Sequence, residues 1–435
     1  MFKNHLRKLI LKLFPFLRHI KRWLVWGPTI RAWKKVAASL PVAAPHASVR
    51  KILIVPSDPY TLTGSRGDDA MIDALLGVAR DNNKDVELFI VTGSDEADTE
   101  ARKKGLSPCQ IWASAFSPEK ILAEFKKLSP DALVVIGADV MDGYYNPYLP
   151  LHGLMFADLA SRLGARAFVL GFSFNKSPWK QLKAAFELTN NAVKINVRDP
   201  ISMERFNAFC SRPADLVADA AFCLKPALDS DLRKKVTAWV EEVHQKGHLA
   251  IAFNIHPMLF KNATQTQIDH LVAAATSALE AVSKARKVSW LFLPHDFRED
   301  VGDNACLTPL AKILGERGLS GRIFHITKDH SAAELKAAAS QVDGVITARM
   351  HLSIGSLGMG VPVAAITYQD KFQGLFRHFD LPDWLLVSPD EVLSSTKLEK
   401  MMLRFIDENA QIKAMVAQKL PEVMRLSMKN FEPLL

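Results

Sequence analysis

Cysteine is scarce in this chain of 435 residues: Cys109, Cys210, Cys223 and Cys306 stand far apart, with no C-x-x-C pair. That leaves no disulfide framework and no thiolate zinc site, and it fits a reducing compartment. No apolar run reaches the ~18 residues of a membrane-spanning helix. Internal repeats and low-complexity tracts are absent as well. Acidic residues are missing from the start of the chain; the first is Asp58. Residues 1–51 hold twelve of the 55 Lys and Arg, so the other 43 bases face all 46 acids, a net of −3 against +9 for the whole chain. The body is nearly neutral and the basic character belongs to an arm. That argues against a general nucleic-acid-binding surface.

What is present is the composition of a globular protein with a sizeable core, 49% apolar and 23% charged, at a length that calls for two or three domains. Short apolar strands alternate with helical stretches in two series. The first comprises Lys51–Val55, Val86–Val91, Ala132–Ile136 and Ala167–Leu170, with a helix expected from about Asp69 to Arg80. The second comprises Leu249–Phe253, Val288–Leu293, Arg322–Ile326, Val345–Thr347 and Val361–Ile366. Such alternation predicts parallel sheets covered on both faces. The expected fold is α/β: two doubly wound Rossmann-like domains, residues 49–225 and 226–390, binding ligands in the interdomain cleft beyond their strand ends. Residues 225–247 read as the join. Ser331 with Glu334 reads as a capping box opening the helix before Val345. Residues 391–435 read as C-terminal helices broken at Pro421.

Residues 1–48 read as a basic amphipathic arm and a linker. Leu6, Leu9, Ile10 and Leu13 keep helical spacing beside Arg7, Lys8 and Lys12; after Pro15, Leu17, Ile20 and Leu24 continue beside Arg18, Lys21 and Arg22. Trp23, Trp26 and Trp33 follow. An apolar face, a basic face and interfacial Trp describe a helix lying on an anionic membrane, where each base contributes about 1 kcal/mol. Packing of the arm on its own fold or on a partner chain is the alternative, with nucleic acid binding behind it. Charges recur too often for the uninterrupted apolar region of a signal peptide. The expected location is cytoplasmic, peripheral at the inner face of the membrane, through residues 1–40. Pro41–Ser48 reads as the linker.

The densest chemistry lies between Ile346 and Phe372. A buried strand ends near Ile346, and Leu352, Ile354 and Leu357 mark one face of a helix that Gly358 and Gly360 end. Arg349 and His351 therefore stand at a helix N-terminus, where free N–H groups and the helix dipole favour anions. Lys371 follows the next strand, at the same sheet edge. Together they suit a phosphate plus a carboxylate, although Arg349 alone could be an ion-pair residue and His351 a helix cap. Gly64–Asp69 joins a strand to a helix. Gly64 and Gly67 permit close approach, Arg66 is a candidate anion contact, and Asp68 or Asp69 could simply cap the helix. The loop's spacing is neither a Walker A loop nor G-x-G-x-x-G, so neither ATP nor NAD is implied. Asp139, Asp142, Tyr144 and Tyr145 follow a strand end and could bind sugar hydroxyls and a sugar face. His295 and Asp296 are a loop pair or cleft contributors. Arg198 and Asp199 read most simply as an interdomain ion pair. No metal-ligand spacing is seen.

R-x-H at Arg349–His351, then G-V-P-V-x-x-I-x-Y-x-x-K from Gly360 through Tyr368 to Lys371, resembles the C-terminal signature of the polysaccharide pyruvyl transferases. The rest agrees in order. Gly64–Ala70 resembles the family's G-N-x-G-D-x-A loop, with Ser65 in place of Asn. Val134–Asp139 resembles its glycine-rich strand end, with Ala138 inside the Gly run. Gly171–Pro178 loosely follows G-x-S-x-G-P, Val197–Ser202 resembles V-R-D-x-x-S, and Leu293–Asp296 resembles L-P-H. The resemblance spans roughly residues 50–380.

It implies a fold like the two-domain GT-B glycosyltransferases, with the acceptor on the N-terminal side and the donor on the C-terminal side. It implies transfer of the pyruvyl group of phosphoenolpyruvate, as a ketal, onto a sugar of a cell-surface polysaccharide or glycolipid precursor. Arg349 and Lys371 would clamp the donor, and His351 would be general acid or base, suited by an ordinary pKa near 6.5. Gly64, Ser65, Arg66, Gly67, Asp68, Asp139, Arg198, His295, Asp296 and Tyr368 would contact substrate. No cofactor is implied beyond phosphoenolpyruvate as co-substrate, no metal and no nucleic acid; the acceptor would be lipid-linked. A GT-B glycosyltransferase using a nucleotide sugar is the enzyme alternative. A non-catalytic membrane-associated binding protein of the same fold is the other.

Overall fold

β1 (Lys51–Val55) is buried from Ile52 onward. Ile52 and Ile54 face one core layer and Leu53 and Val55 another, as a central strand covered on both faces requires. The computed structural model describes residues 15–62, 66–112, 117–260, 262–298, 301–367 and 370–435, with side chains from residue 26 onward. Gly64, Ser65 and Tyr368 lie outside the described residues.

The first sheet is wholly parallel. Its order is β3 (Ser107–Cys109), β2 (Glu87–Val91), β1, β4 (Ala132–Val135), β5 (Arg166–Phe172), β6 (Lys194–Val197) and β7 (Asp215–Leu216). The second repeats the plan: β10 (Ile323–His325), β9 (Val288–Phe292), β8 (Leu249–Asn254), β11 (Gly344–Thr347), β12 (Val363–Ile366) and β13 (Leu386–Val387). Chain direction across each sheet reverses beside its first strand, between β1 and β4 and between β8 and β11. Crevices form at such switch points, beyond the carboxyl ends of the strands.

Several expectations are corrected. The helix after β1 runs Arg66–Asn82, so Asp68 and Asp69 sit in its first turn. The join is shorter than residues 225–247, because helix Asp231–Gln245 buries Leu232, Val236, Val240 and Val243 in the second domain's core. Helix Asn409–Met428 runs through Pro421. The C-terminal helices also divide their packing. Helix Ser395–Asp407 lies on helix Gln265–Ala285, whereas the chain end returns to the first domain. There Asn430 Oδ1 accepts from the Gly171 amide at 2.7 Å, and Asn82 Nδ2 donates to the Leu434 carbonyl at 2.8 Å.

The arm is corrected in its second half. Helix Pro15–Ala38 buries Trp26, Trp33, Val36 and Ala37 in the first domain's outer core. Trp33 Nε1 donates to Asp158 Oδ2 at 2.7 Å, and Arg162 Nη1 donates to the Ala37 carbonyl at 3.1 Å. Two of the three clustered tryptophans thus serve folding. Residues 41–48 are irregular but docked: the Ala43 and His46 amides donate to the Arg162 and Gly164 carbonyls. No described helix is long and apolar enough to cross a membrane.

Candidate active site

The carboxyl ends of the two sheets face each other across a cleft of about 220 Å³. Arg66, Gly67 and Asp68 enter it from the first turn of helix Arg66–Asn82, and Asp139 from the loop after β4. His295 and Asp296 follow β9, Arg349 and His351 follow β11, and Lys371 opens the helix Lys371–Arg377 after β12. Arg198, after β6, reaches it as well. These ten residues, with Tyr145, therefore share one cavity drawn from both domains, whereas Asp142 and Tyr144 line an adjoining hollow and Asp69 and Asp199 stay outside both.

Arg349 is the N-cap residue of helix Met350–Leu357, so His351 lies inside the first turn and is not a cap. The Arg349 guanidinium is held from behind. Its Nε and Nη2 donate to Asp303 Oδ1 at 2.8 and 2.6 Å, and Asp296 Oδ2 lies 3.1 Å from Nη2. Nη1 faces Met258 Sδ at 3.9 Å. Lys371 crosses the cleft to an ion pair with Asp139 and approaches the Tyr145 hydroxyl at 3.4 Å. Arg66 pairs with Asp329 across the domains and with Asp69 within its helix. Asp68 accepts from Ser57 Oγ at 2.7 Å.

Arg198 and Asp199 do not form the expected pair. Asp199 caps helix Pro200–Phe209 through the Ser202 amide and hydroxyl, at 2.8 and 2.6 Å. Arg198 instead turns its buried guanidinium to Asp219 at 2.8 Å and to Ser173 Oγ at 2.7 Å. Asp and Arg as neighbours in an extended segment point to opposite sides, which separates their partners.

Burial sets the protonation states. It pushes His295 down to about 3, with nearby His351, Arg349 and Arg66 adding to the effect. His351 is lowered too, first by burial, with Asp219 opposing. Both rings are thus neutral near pH 7. Burial works against ionisation of Asp139, but the Lys371 ammonium outweighs it and holds the carboxyl at about 2. Among the described residues Asp142 has no ion pair, and Lys371 acts on it only weakly. Burial raises it to about 6 although the Tyr144 and Asn175 amides donate to it. Tyr144 and Tyr145 are half exposed at the rim. Among the described residues no cluster has the makings of a metal site.

Sequence reasoning missed Asp303, Asp219 and Arg298, the last of which lines the cleft and pairs with Asp296. Asp303 and Arg298 lie in a loop of mixed charge, where nothing marks which acid will turn inward. Asp219 left a fainter signal: a lone acid between Val217-Ala218 and Ala220-Ala221-Phe222, where an unpaired charge would be costly.

Two doubly wound parallel domains facing each other across a cleft define the GT-B type of architecture. Solved structures agree. The chain resembles a putative UDP-N-acetylglucosamine 2-epimerase from Listeria monocytogenes, with TM-score 0.54 and 12% identity over 88% of this chain and 97% of that one. A UDP-N-acetylglucosamine 2-epimerase from Neisseria meningitidis, bound to UDP-N-acetylglucosamine, gives TM-score 0.54 and 12% identity over 88% and 99%. A glycosyltransferase from Rickettsia africae gives 0.52 and 12% over 89% and 100%. At such identity these likenesses establish the fold alone. No curated protein matches the sequence. The profile of the polysaccharide pyruvyl transferase family matches residues 66–370, and the chain belongs to that family.

Proposed function

We propose that this protein transfers the pyruvyl group of phosphoenolpyruvate onto two hydroxyls of a sugar, forming a ketal and releasing phosphate. The observation that carries this reading is the meeting of Arg66, Arg349 and Lys371 around His351 in one cleft. A donor bearing a phosphate and a carboxylate needs separate cationic contacts. Arg349, fixed by Asp303 and Asp296, presents its remaining edge; Lys371 is a mobile point charge that can exchange Asp139 for a substrate oxyanion. In the reaction a proton is added to the methylene carbon, leaving an oxocarbenium-like centre at the adjacent carbon. One sugar hydroxyl attacks and returns a proton to the carrier, phosphate departs, and a second hydroxyl closes the ketal as its proton passes to the released phosphate. His351 is the proton carrier in this scheme. Asp139 and Asp142, with Tyr144 and Tyr145, suit the acceptor's hydroxyls and ring face.

The basic start of the chain favours a lipid-linked acceptor at an anionic, cytoplasmic membrane face. Incubation with phosphoenolpyruvate and a panel of lipid-linked and nucleotide sugars, with phosphate release as readout, tests the reading. Release of a nucleoside diphosphate from a nucleotide sugar would favour glycosyl transfer instead.

A further inference from the structure

His351 has a second face. Its Nδ1 lies on the Gly67 side, where both residues line the cleft. Its Nε2 is buried and has no hydrogen-bond partner among the described residues; Asp219 Oδ2 lies 3.9 Å from it. Asp219 is 2% exposed and firmly held. Oδ1 accepts from the Ala221 amide at 2.9 Å, Oδ2 accepts from Arg198 Nη1 at 2.8 Å, and the Ser427 hydroxyl donates to its main-chain carbonyl at 2.6 Å. It sits at the end of the first domain, and His351 belongs to the second.

We propose that Asp219 is a positioning residue for His351: it keeps the imidazole proton on Nε2 and leaves Nδ1 as the ring atom that serves the cleft. A carboxylate paired with arginine is an acceptor only. The other tautomer would set the Nε2 lone pair against it, whereas an Nε2–H points a donor at it. The gap exceeds a hydrogen bond by about 1 Å, so the carboxylate acts on the ring through its charge, which still favours a donor over a lone pair on the Nε2 side. When His351 carries two protons, the same carboxylate faces the imidazolium, as in other acid–base pairs in which a buried acid orients a histidine. This role rests on the function proposed above.

The charged and titratable groups around His351 include Asp219 and Arg198 after the first sheet's last strands, Asp139 after β4, Lys371 after β12, His295 and Asp296 after β9, Arg66 and Asp68 in the helix after β1, its neighbour Arg349, and Lys336 of helix Ala332–Ala339. Of these, Asp219 is the group whose oxygen faces Nε2.

The test uses the full chain labelled with ¹⁵N-histidine, the His351 signals being those lost in His351→Gln. The wild-type ring is expected to be protonated on Nε2 when neutral, and Asp219→Asn should move the acidic limb of the kcat/KM profile to lower pH. In that variant kcat should fall on the order of 10²-fold with the donor KM unchanged, and Asp219→Asn/His351→Gln should be no slower than His351→Gln. A proton on Nδ1 in the wild type overturns the proposal, even if Asp219→Asn does not fold. So does a further slowing of His351→Gln by the same factor, which marks a merely structural role. The tautomer is read without turnover, so failure of the transferase reading would appear separately, as absent phosphate release.

Discussion

Gly67 and His351, from different domains, touch so closely that a Cβ on Gly67 would fall 2.3 Å from His351 Nδ1 and 2.6 Å from Cε1. The glycine after β1 is therefore required by the histidine after β11, and each fixes where the other stands in the cleft.

Gly67→Ala must displace the ring or part the domains. Turnover should fall on the order of 10²-fold, the usual consequence of misplacing a reacting group by about 1 Å. Stability should fall by about 1–3 kcal/mol, as overpacking typically costs. Kinetics alongside denaturant unfolding separate the two effects; near wild-type turnover would show that the contact does not set the site.

Acid should destabilise the fold. Burial holds His152 and His295 at about 3 and lowers His256 and His351 as well. The unfolded chain takes up protons below about 6.5 that these folded rings refuse, so stability drops as pH falls through that value. A ring held at about 3, as in His152 and His295, costs about 2 kcal/mol at pH 5 by this linkage. Asp142, raised to about 6 by burial, acts in the opposite direction between its folded and unfolded values and offsets part of the loss. His152 packs against Trp112 and Tyr148, so His152→Phe keeps an aromatic ring there. The loss between pH 7 and 5 should shrink by about 2 kcal/mol in this variant. An unchanged difference in urea midpoints would contradict it.

Ala138 occupies the left-handed region at φ 45°, where a side chain costs about 1–2 kcal/mol. Glycine removes that strain but adds about 0.5–1 kcal/mol of unfolded-state entropy. Ala138→Gly should thus stabilise by about 0.5–1 kcal/mol. A lower melting temperature would show that the methyl group's packing outweighs the strain.

The two halves of the arm should behave differently. Trp33→Ala removes a fully buried ring and should cost about 3–5 kcal/mol. Deletion of residues 1–14 should leave the melting curve intact and weaken salt-sensitive flotation with anionic vesicles. A shortened chain that floats as well as the full one would end the membrane reading.

The sequence revealed the fold through its alternation of buried strands and helices, and the cleft through Arg349, His351 and Lys371, because strand ends in doubly wound sheets share an edge. Short edge and near-edge strands escaped it: β3, β7 and β13 hold two or three residues each and β6 four, too few for any periodicity. The partners escaped it too. That Asp303 fixes Arg349, or that Trp33 meets Asp158 125 positions away, depends on packing between distant segments, which local pattern does not carry. Trp26 and Trp33 were read as membrane-facing because an apolar helical face looks the same whether lipid or protein covers it.

The central claim is tested by phosphate release from phosphoenolpyruvate in the presence of sugar acceptors. The account predicts acceptor-dependent phosphate matched by ketal formation. It predicts losses of about 2–4 kcal/mol in transition-state stabilisation for Arg349→Ala and Lys371→Ala with the fold intact. His351→Gln should lower kcat by about 10²–10⁴ while donor affinity stays. No phosphate release with any acceptor, together with nucleoside diphosphate release from a nucleotide sugar, would contradict it.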